Sequence, residues 1–102
     1  MRKARVLVNG VEAAVFEQLE ESEYLLTYHA DYHGAPVSLT MPLANKIYEF
    51  NQFPSFFEGL LPEGTMLEAL LRKYKIDRND YFGQLIKVGQ DVVGAVTIEG
   101  LE

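Results

Sequence analysis

His29 and His33, with Asp31 between them, are residues whose types could do chemistry in this 102-residue chain. An H-x₃-H pair turns both rings toward one metal ion when it lies on a helix. Here the pair flanks a segment carrying Asp31, Gly34 and Pro36, which predicts a turn, and the chain has no cysteine to complete a ligand set. The histidines therefore read as turn residues in water or bonded to backbone, and no metal site is expected. Gly59-Leu60-Leu61-Pro62-Glu63-Gly64-Thr65-Met66 places two glycines in the manner of a phosphate-binding loop. The lysine such a loop needs after its second glycine is missing, a helical pattern precedes the first, and Glu63 would repel a phosphate. Glu58 and Glu63 form a carboxylate pair, but acid/base work requires a pocket and a raised pKa. No G-x-S-x-G elbow occurs, and no serine stands beside a histidine and an acid in a triad pattern. Neither a catalytic centre nor a cofactor site is expected.

Composition narrows the classes further. A chain of 102 residues with a hydrophobic fraction of 48% suits one domain over residues 1–102, burying roughly two-thirds of its unfolded surface around one core. Without cysteine the fold depends on packing, and a reducing cytoplasm is the natural compartment. Val6-Leu7-Val8 is cut off by Asn9-Gly10, so neither a signal peptide nor a membrane span is expected there. Fifteen acidic residues against nine basic ones, a net charge of -6, would repel a phosphate backbone, which argues against direct nucleic-acid binding. The charges are uneven: Glu17, Glu20, Glu21 and Glu23 crowd one segment, and Arg72, Lys73, Lys75 and Arg78 another. Two solvated faces account for this pattern, and so does a basic patch that meets an acidic protein partner.

The elements that must position these residues fall into two halves. Arg5-Val6-Leu7-Val8, Asn9-Gly10 and Val11 to Phe16 predict a hairpin, because Asn-Gly supplies the positive φ angles of a type I′ turn. An acidic connection over Gln18 to Glu23 leads to a strand at Tyr24 to Tyr28. Val37-Ser38-Leu39-Thr40-Met41 alternates as a half-buried strand should, and Pro42 ends it. From Pro54 the period lengthens. Pro54 suits a first helical turn, and Phe56, Phe57, Leu60 and Leu61 share one side of a short helix stopped by Pro62 and Gly64. Thr65 with Glu68 matches a capping box for a helix over Met66 to Tyr74, with Leu67, Leu70, Leu71 and Tyr74 inward. Asp77 is expected to cap a third helix with Tyr81, Phe82, Leu85 and Ile86 on its apolar face and Gly89 at its end. Val92 to Ile98 reads as a last strand returning to the sheet. Phe53, Phe56, Phe57 and Phe82 sit at core periodicities, while Tyr48 and Phe50, between the halves, could anchor an interface. The fold class is α+β: a small, mainly antiparallel sheet with about three helices packed on one face.

Phe56-Phe57-Glu58-Gly59-Leu60-Leu61-Pro62-Glu63-Gly64 stands in an order that generic packing does not demand. Together with Val8-Asn9-Gly10, Ser38-Leu39, Met41-Pro42-Leu43, Tyr81-Phe82-Gly83, Val88-Gly89, Asp91 and Gly94-Ala95-Val96, it resembles the N-terminal subdomain 1 of HipA-type serine/threonine kinases over nearly the whole chain. No catalytic-loop H-R-D-x-x-x-x-N or D-F-G is present, and 102 residues cannot hold a kinase fold. The resemblance implies a separately encoded version of the module, similar to the HipS-like antitoxins of tripartite HipBST systems. It further implies a non-enzymatic protein that docks in trans on a HipT/HipA-like kinase toxin and suppresses its activity, with a HipB-like DNA-binding protein as a further member of the complex. A non-inhibitory scaffold is the alternative. The element expected to insert is Leu61-Pro62-Glu63-Gly64-Thr65-Met66, because a turn between two helices is both rigid and exposed, with apolar contact from Leu61 and Met66 and a carboxylate from Glu63. Against it stands the reading that Leu61 and Met66 belong to the core and the turn meets only water.

Overall fold

The computed structural model describes residues 2–92 and 94–101. The hairpin forms where Asn-Gly demands it. Strands β1 (Arg2–Val8) and β2 (Val11–Glu20) are joined by Asn9 and Gly10, whose φ angles are 52° and 82°. Strands β3 (Glu23–Tyr28), β4 (Ile47–Phe50) and β5 (Val96–Leu101) complete a five-stranded sheet of order β4-β3-β2-β1-β5, antiparallel at each junction. Helices α1 (Ser55–Glu58), α2 (Gly64–Tyr74) and α3 (Tyr81–Val88) lie between β4 and β5 in the chain.

Alternation sorts the sheet into two faces. Ala4, Val6 and Val8 of β1, Ala14 and Phe16 of β2, Tyr24, Leu26 and Tyr28 of β3 and Ile98 of β5 are buried, and Phe57 of α1 with Phe82 and Leu85 of α3 cover them. Phe16 is the hub: its ring centroid lies 4.4 Å from Phe57, 5.4 Å from Phe82, 5.7 Å from Tyr24 and 5.9 Å from Phe53. The other face carries ion pairs, Lys3 with Glu17 at 3.8 Å and Arg5 with Glu12 at 3.7 Å and Glu99 at 3.6 Å. The α+β class, the hairpin, the Tyr24 strand and the return of the last strand to the sheet stand as expected.

Other expectations are corrected. Val37 to Met41 is a loop, not a strand: Val37 and Met41 are buried, Leu39 is exposed, and the Tyr28 hydroxyl accepts from the Val37 amide and donates to the Met41 carbonyl. A tyrosine side chain thus takes the backbone groups that strand pairing would otherwise take. The strand on that side is β4, whose Tyr48 and Phe50 pack against the core rather than standing free. The Gln18 to Glu23 connection shortens to the turn at Glu21 and Ser22, because β2 runs to Glu20. Pro54 occupies the N-cap position of α1, ahead of its first turn. Thr65 does not cap α2; that helix opens at Gly64 after Glu63, and Glu68 pairs with Arg78 instead. The cap of α3 is Asp80, which accepts from the Gly83 amide, not Asp77. Strand β5 begins at Val96, and Val93 of the expected strand lies outside the described residues.

Helix α2 departs furthest from expectation. Leu67, Leu70 and Leu71 are only half-buried and Tyr74 is exposed, so the helix buries no residue fully. Helix α3, by contrast, is pressed against β5 at Gly89. The Ile98 amide donates to the Gly89 carbonyl at 3.0 Å, and a Cβ on Gly89 would stand 2.4 Å from that of Ile98.

Candidate partner-binding site

The turn from Leu61 to Met66 is built by the ends of two helices. Past α1 the chain tightens, with the Leu60 amide donating to the Phe57 carbonyl at 3.0 Å and the Leu61 amide to that of Glu58 at 3.1 Å. Glu63 is extended at φ -131° and ψ 166°, and Gly64 at φ 61° redirects the chain into α2. This geometry splits the six residues. Leu61 is half-buried against the core and Pro62 is half-buried, while Glu63, Gly64 and Thr65 are exposed and Met66 is 72% exposed. Of the two apolar contacts expected, Met66 stands out from the surface and Leu61 faces inward. Leu61 thus packs against the core from outside it, whereas Met66 does not.

Beside the turn lies a cleft of about 500 Å³, walled by Glu58, Leu61, Pro62, Glu63, Tyr81 and Gln84 among others. Gln84 is the one polar residue among the buried ones described, at 1% exposure. Its Nε2 donates to the carbonyls of Asp77 at 3.3 Å and Arg78 at 2.9 Å. Sequence reasoning missed Gln84, although a glutamine between Phe82 and Leu85 on an apolar helix face is a usable signal for a buried amide. It also missed Asp80, the N-cap of α3. The Arg2 guanidinium donates to Asp80 Oδ1 at 2.6 Å and Oδ2 at 3.1 Å, and lies 5.2 Å from the centroid of the Phe82 ring. That guanidinium holds the Asp80 carboxyl below its usual range, opposed by burial and helped by the Gly83 amide.

His29 lies 2.7 Å from Glu12, and among the described residues no group of three metal-ligating side chains converges. Arg72, Lys73, Lys75 and Arg78 are exposed; Lys73 and Lys87 stand 5.3 and 5.1 Å from the centroid of the Tyr74 ring. A wider recess of about 890 Å³ runs past Tyr24, Met41, Phe50 and Phe53, away from the turn.

A five-stranded sheet carrying its helices between the fourth and fifth strands, with an exposed turn between two of them, is the arrangement of a known module. Residues 4–99 match the HipA N-terminal domain family, and the chain belongs to that family. It is 26% identical over 99 residues to an uncharacterised protein of Haemophilus influenzae, the match covering 97% of this chain and 92% of that one. The N-terminal domain of HipA toxin has the same fold, with a TM-score of 0.78 and 24% identity over 100% of this chain and 94% of that chain. The likeness is to the N-terminal domain and not to a kinase domain. Among the described residues no helix is long and apolar enough to cross a membrane.

Proposed function

We propose that this chain is a non-enzymatic antitoxin of the cytoplasm that binds a HipT/HipA-like serine/threonine kinase in trans and suppresses its activity. The observation that carries the reading is the extent of the family match: residues 4–99 correspond to the HipA N-terminal domain, with no kinase domain in the match. On this reading the chain presents to its partner the surface with which the corresponding module meets the kinase core in HipA. The Haemophilus influenzae relative supports the same arrangement, since 92% of its length is covered by this chain.

Inhibition on this reading is steric. The turn lies between α1 and α2, and Met66, 72% exposed, offers an adaptable apolar tip with the Glu63 carboxylate nearby in the chain. Placed at the nucleotide cleft, the turn would hold the kinase lobes where ATP and substrate do not align. A HipB-like DNA-binding protein is the further member of the complex, and nucleic acid is met only through it. The test is the phosphorylation rate of a HipT-like kinase from the same genome, titrated with this chain beside a binding isotherm. Stoichiometric loss of activity is expected. Tight binding with undiminished activity would make the chain a scaffold, and no binding would remove the proposal.

A further inference from the structure

The two edges of the sheet are finished differently. A strand at an edge turns alternate amides and carbonyls away from its neighbour, and native proteins cover or blunt such rows. On β5 the outward amide of Ile98 donates to the Gly89 carbonyl at 3.0 Å, so the end of α3 closes that edge. On the other side the Tyr28 amide donates to the Lys46 carbonyl at 2.8 Å, and the register pairs Leu26 with Tyr48 and Tyr24 with Phe50. Alternation then directs the backbone groups of Tyr48 and Phe50 toward β3 and those of Ile47 and Glu49 outward. β4 is the last strand on its side, and among the described residues no loop or cap backbone bonds to Ile47 or Glu49. Both residues are exposed, Ile47 to 57%. Beside this row opens the recess of about 890 Å³, with Phe50, Phe53 and Phe56 in its wall. Its charged residues are Glu23 and Glu49, and no lysine or arginine lines it.

We propose that the β4 edge receives an added strand from another protein, an extended segment that alternates apolar and basic residues. Its backbone completes the bonds that Ile47 and Glu49 leave open, extending the sheet antiparallel as at the other junctions. Alternation sorts its side chains. Apolar residues on the core-facing side enter the recess beside Phe50 and Phe53, and a lysine or arginine on the other side lies across from Glu49. A second copy of this chain fits less well, because pairing β4 with itself sets two Glu49 carboxylates and two chains of charge -6 side by side. The recess lies away from the Leu61 to Met66 turn, so the inference does not depend on the kinase reading.

The experiment uses the full ¹⁵N-labelled chain and an acetylated, amidated hexapeptide of alternating valine and lysine. Saturable amide shifts confined to β3, β4 and the recess are expected. Hydrogen exchange at the Ile47 and Glu49 amides should slow about tenfold when the peptide stands at about ten times its Kd, since exchange then proceeds from the free chain. The peptide's lysine nitrogens face the edge in this pairing, so N-methylation there should abolish binding while N-methylation at the valines leaves it. Glutamate in place of lysine should also abolish it. Glu49→Lys, an exposed change that keeps the thermal midpoint, should weaken the lysine peptide about tenfold by turning a cross-strand attraction into repulsion. No saturable shift, unslowed exchange at Ile47 and Glu49, equal loss on methylating the valine nitrogens, or unchanged affinity in Glu49→Lys would overturn the added strand. A peptide-free chain that sediments as a dimer with these two amides already slow would give the edge to a second copy and overturn it as well.

Discussion

The Asp80 carboxylate accepts from the Gly83 amide that opens α3 and from the Arg2 guanidinium that opens β1. Its pKa is depressed in the folded chain, chiefly by the bond from Arg2. A carboxyl depressed on folding contributes stability that is complete above the ordinary carboxylate range and is lost as pH falls through the depressed value. Thermal midpoints measured from neutral pH into acid should therefore fall for the wild-type chain and fall less for Asp80→Asn, which keeps an acceptor for Gly83 but titrates no longer. The side chains of Arg2 and Asp80 are 42% and 32% exposed, so water screens the pair and its loss is modest. Asp80→Ala removes the cap as well and should cost about 1 kcal/mol at neutral pH. Tyr28 acts at a drier place. Its hydroxyl donates to the Met41 carbonyl at 2.6 Å and accepts from the Val37 amide at 2.9 Å, both bonds buried. Tyr28→Phe keeps the ring and orphans both groups, and urea unfolding should register a loss of about 1–3 kcal/mol.

Elements read correctly from the sequence are those whose signals are local. Asn9-Gly10 fixes its own φ angles, and the Tyr81 to Ile86 spacing identifies α3 even though its cap lies three residues beyond the one expected. Val37 to Met41 has a strand's alternation, but whether its backbone pairs is decided by Tyr28, a residue of another strand. The four residues of β4 are too few for a periodic signal, and their pairing with β3 is non-local. Helix α2 has an amphipathic pattern that predicts burial, yet it is covered only in part, since spacing reveals an apolar face and not whether anything lies against it. The contact of α3 with β5 was equally invisible, because Gly89 as a helix end and Gly89 as a point of close approach give the same letter. Gly89→Ala tests which role dominates. Its Cβ would stand 2.4 Å from the Ile98 Cβ and 2.7 Å from the Ile98 carbonyl oxygen, so helix and strand must separate. A loss of about 1–3 kcal/mol is expected in denaturant unfolding, the range for overpacking a tight contact; a helix-end role alone would leave stability nearly unchanged, since φ at Gly89 is -60°.

Across the whole molecule, the core and the proposed docking turn draw on different residues. The core is complete on the helix-covered face of the sheet, and the expected docking element, glutamate and methionine beside a glycine bend, stands outside it. The sequence marked that turn through its proline and glycines but left Leu61 and Met66 undivided, because apolar type alone does not say which neighbour a side chain meets. Two methionines expose the separation. Met41 is 2% exposed and closes the core beside Tyr28, whereas Met66 is 72% exposed at the start of α2. Met41→Ala should cost about 2–5 kcal/mol in unfolding, the range for a cavity left by a long side chain. Below its unfolding transition that variant should still suppress the kinase at the wild-type midpoint, since the turn is untouched. Met66→Ala should change stability by no more than about 0.5 kcal/mol, as an exposed substitution does. If the turn is the contact, the Met66→Ala inhibition curve should shift to about tenfold higher concentration, the loss of roughly one interface anchor, and Glu63→Ala should add a shift that shrinks as salt screens its charge. A Met66→Ala variant as inhibitory as the wild type would show that the kinase meets another face, and the half-buried leucines of α2 would then be the surface to substitute next.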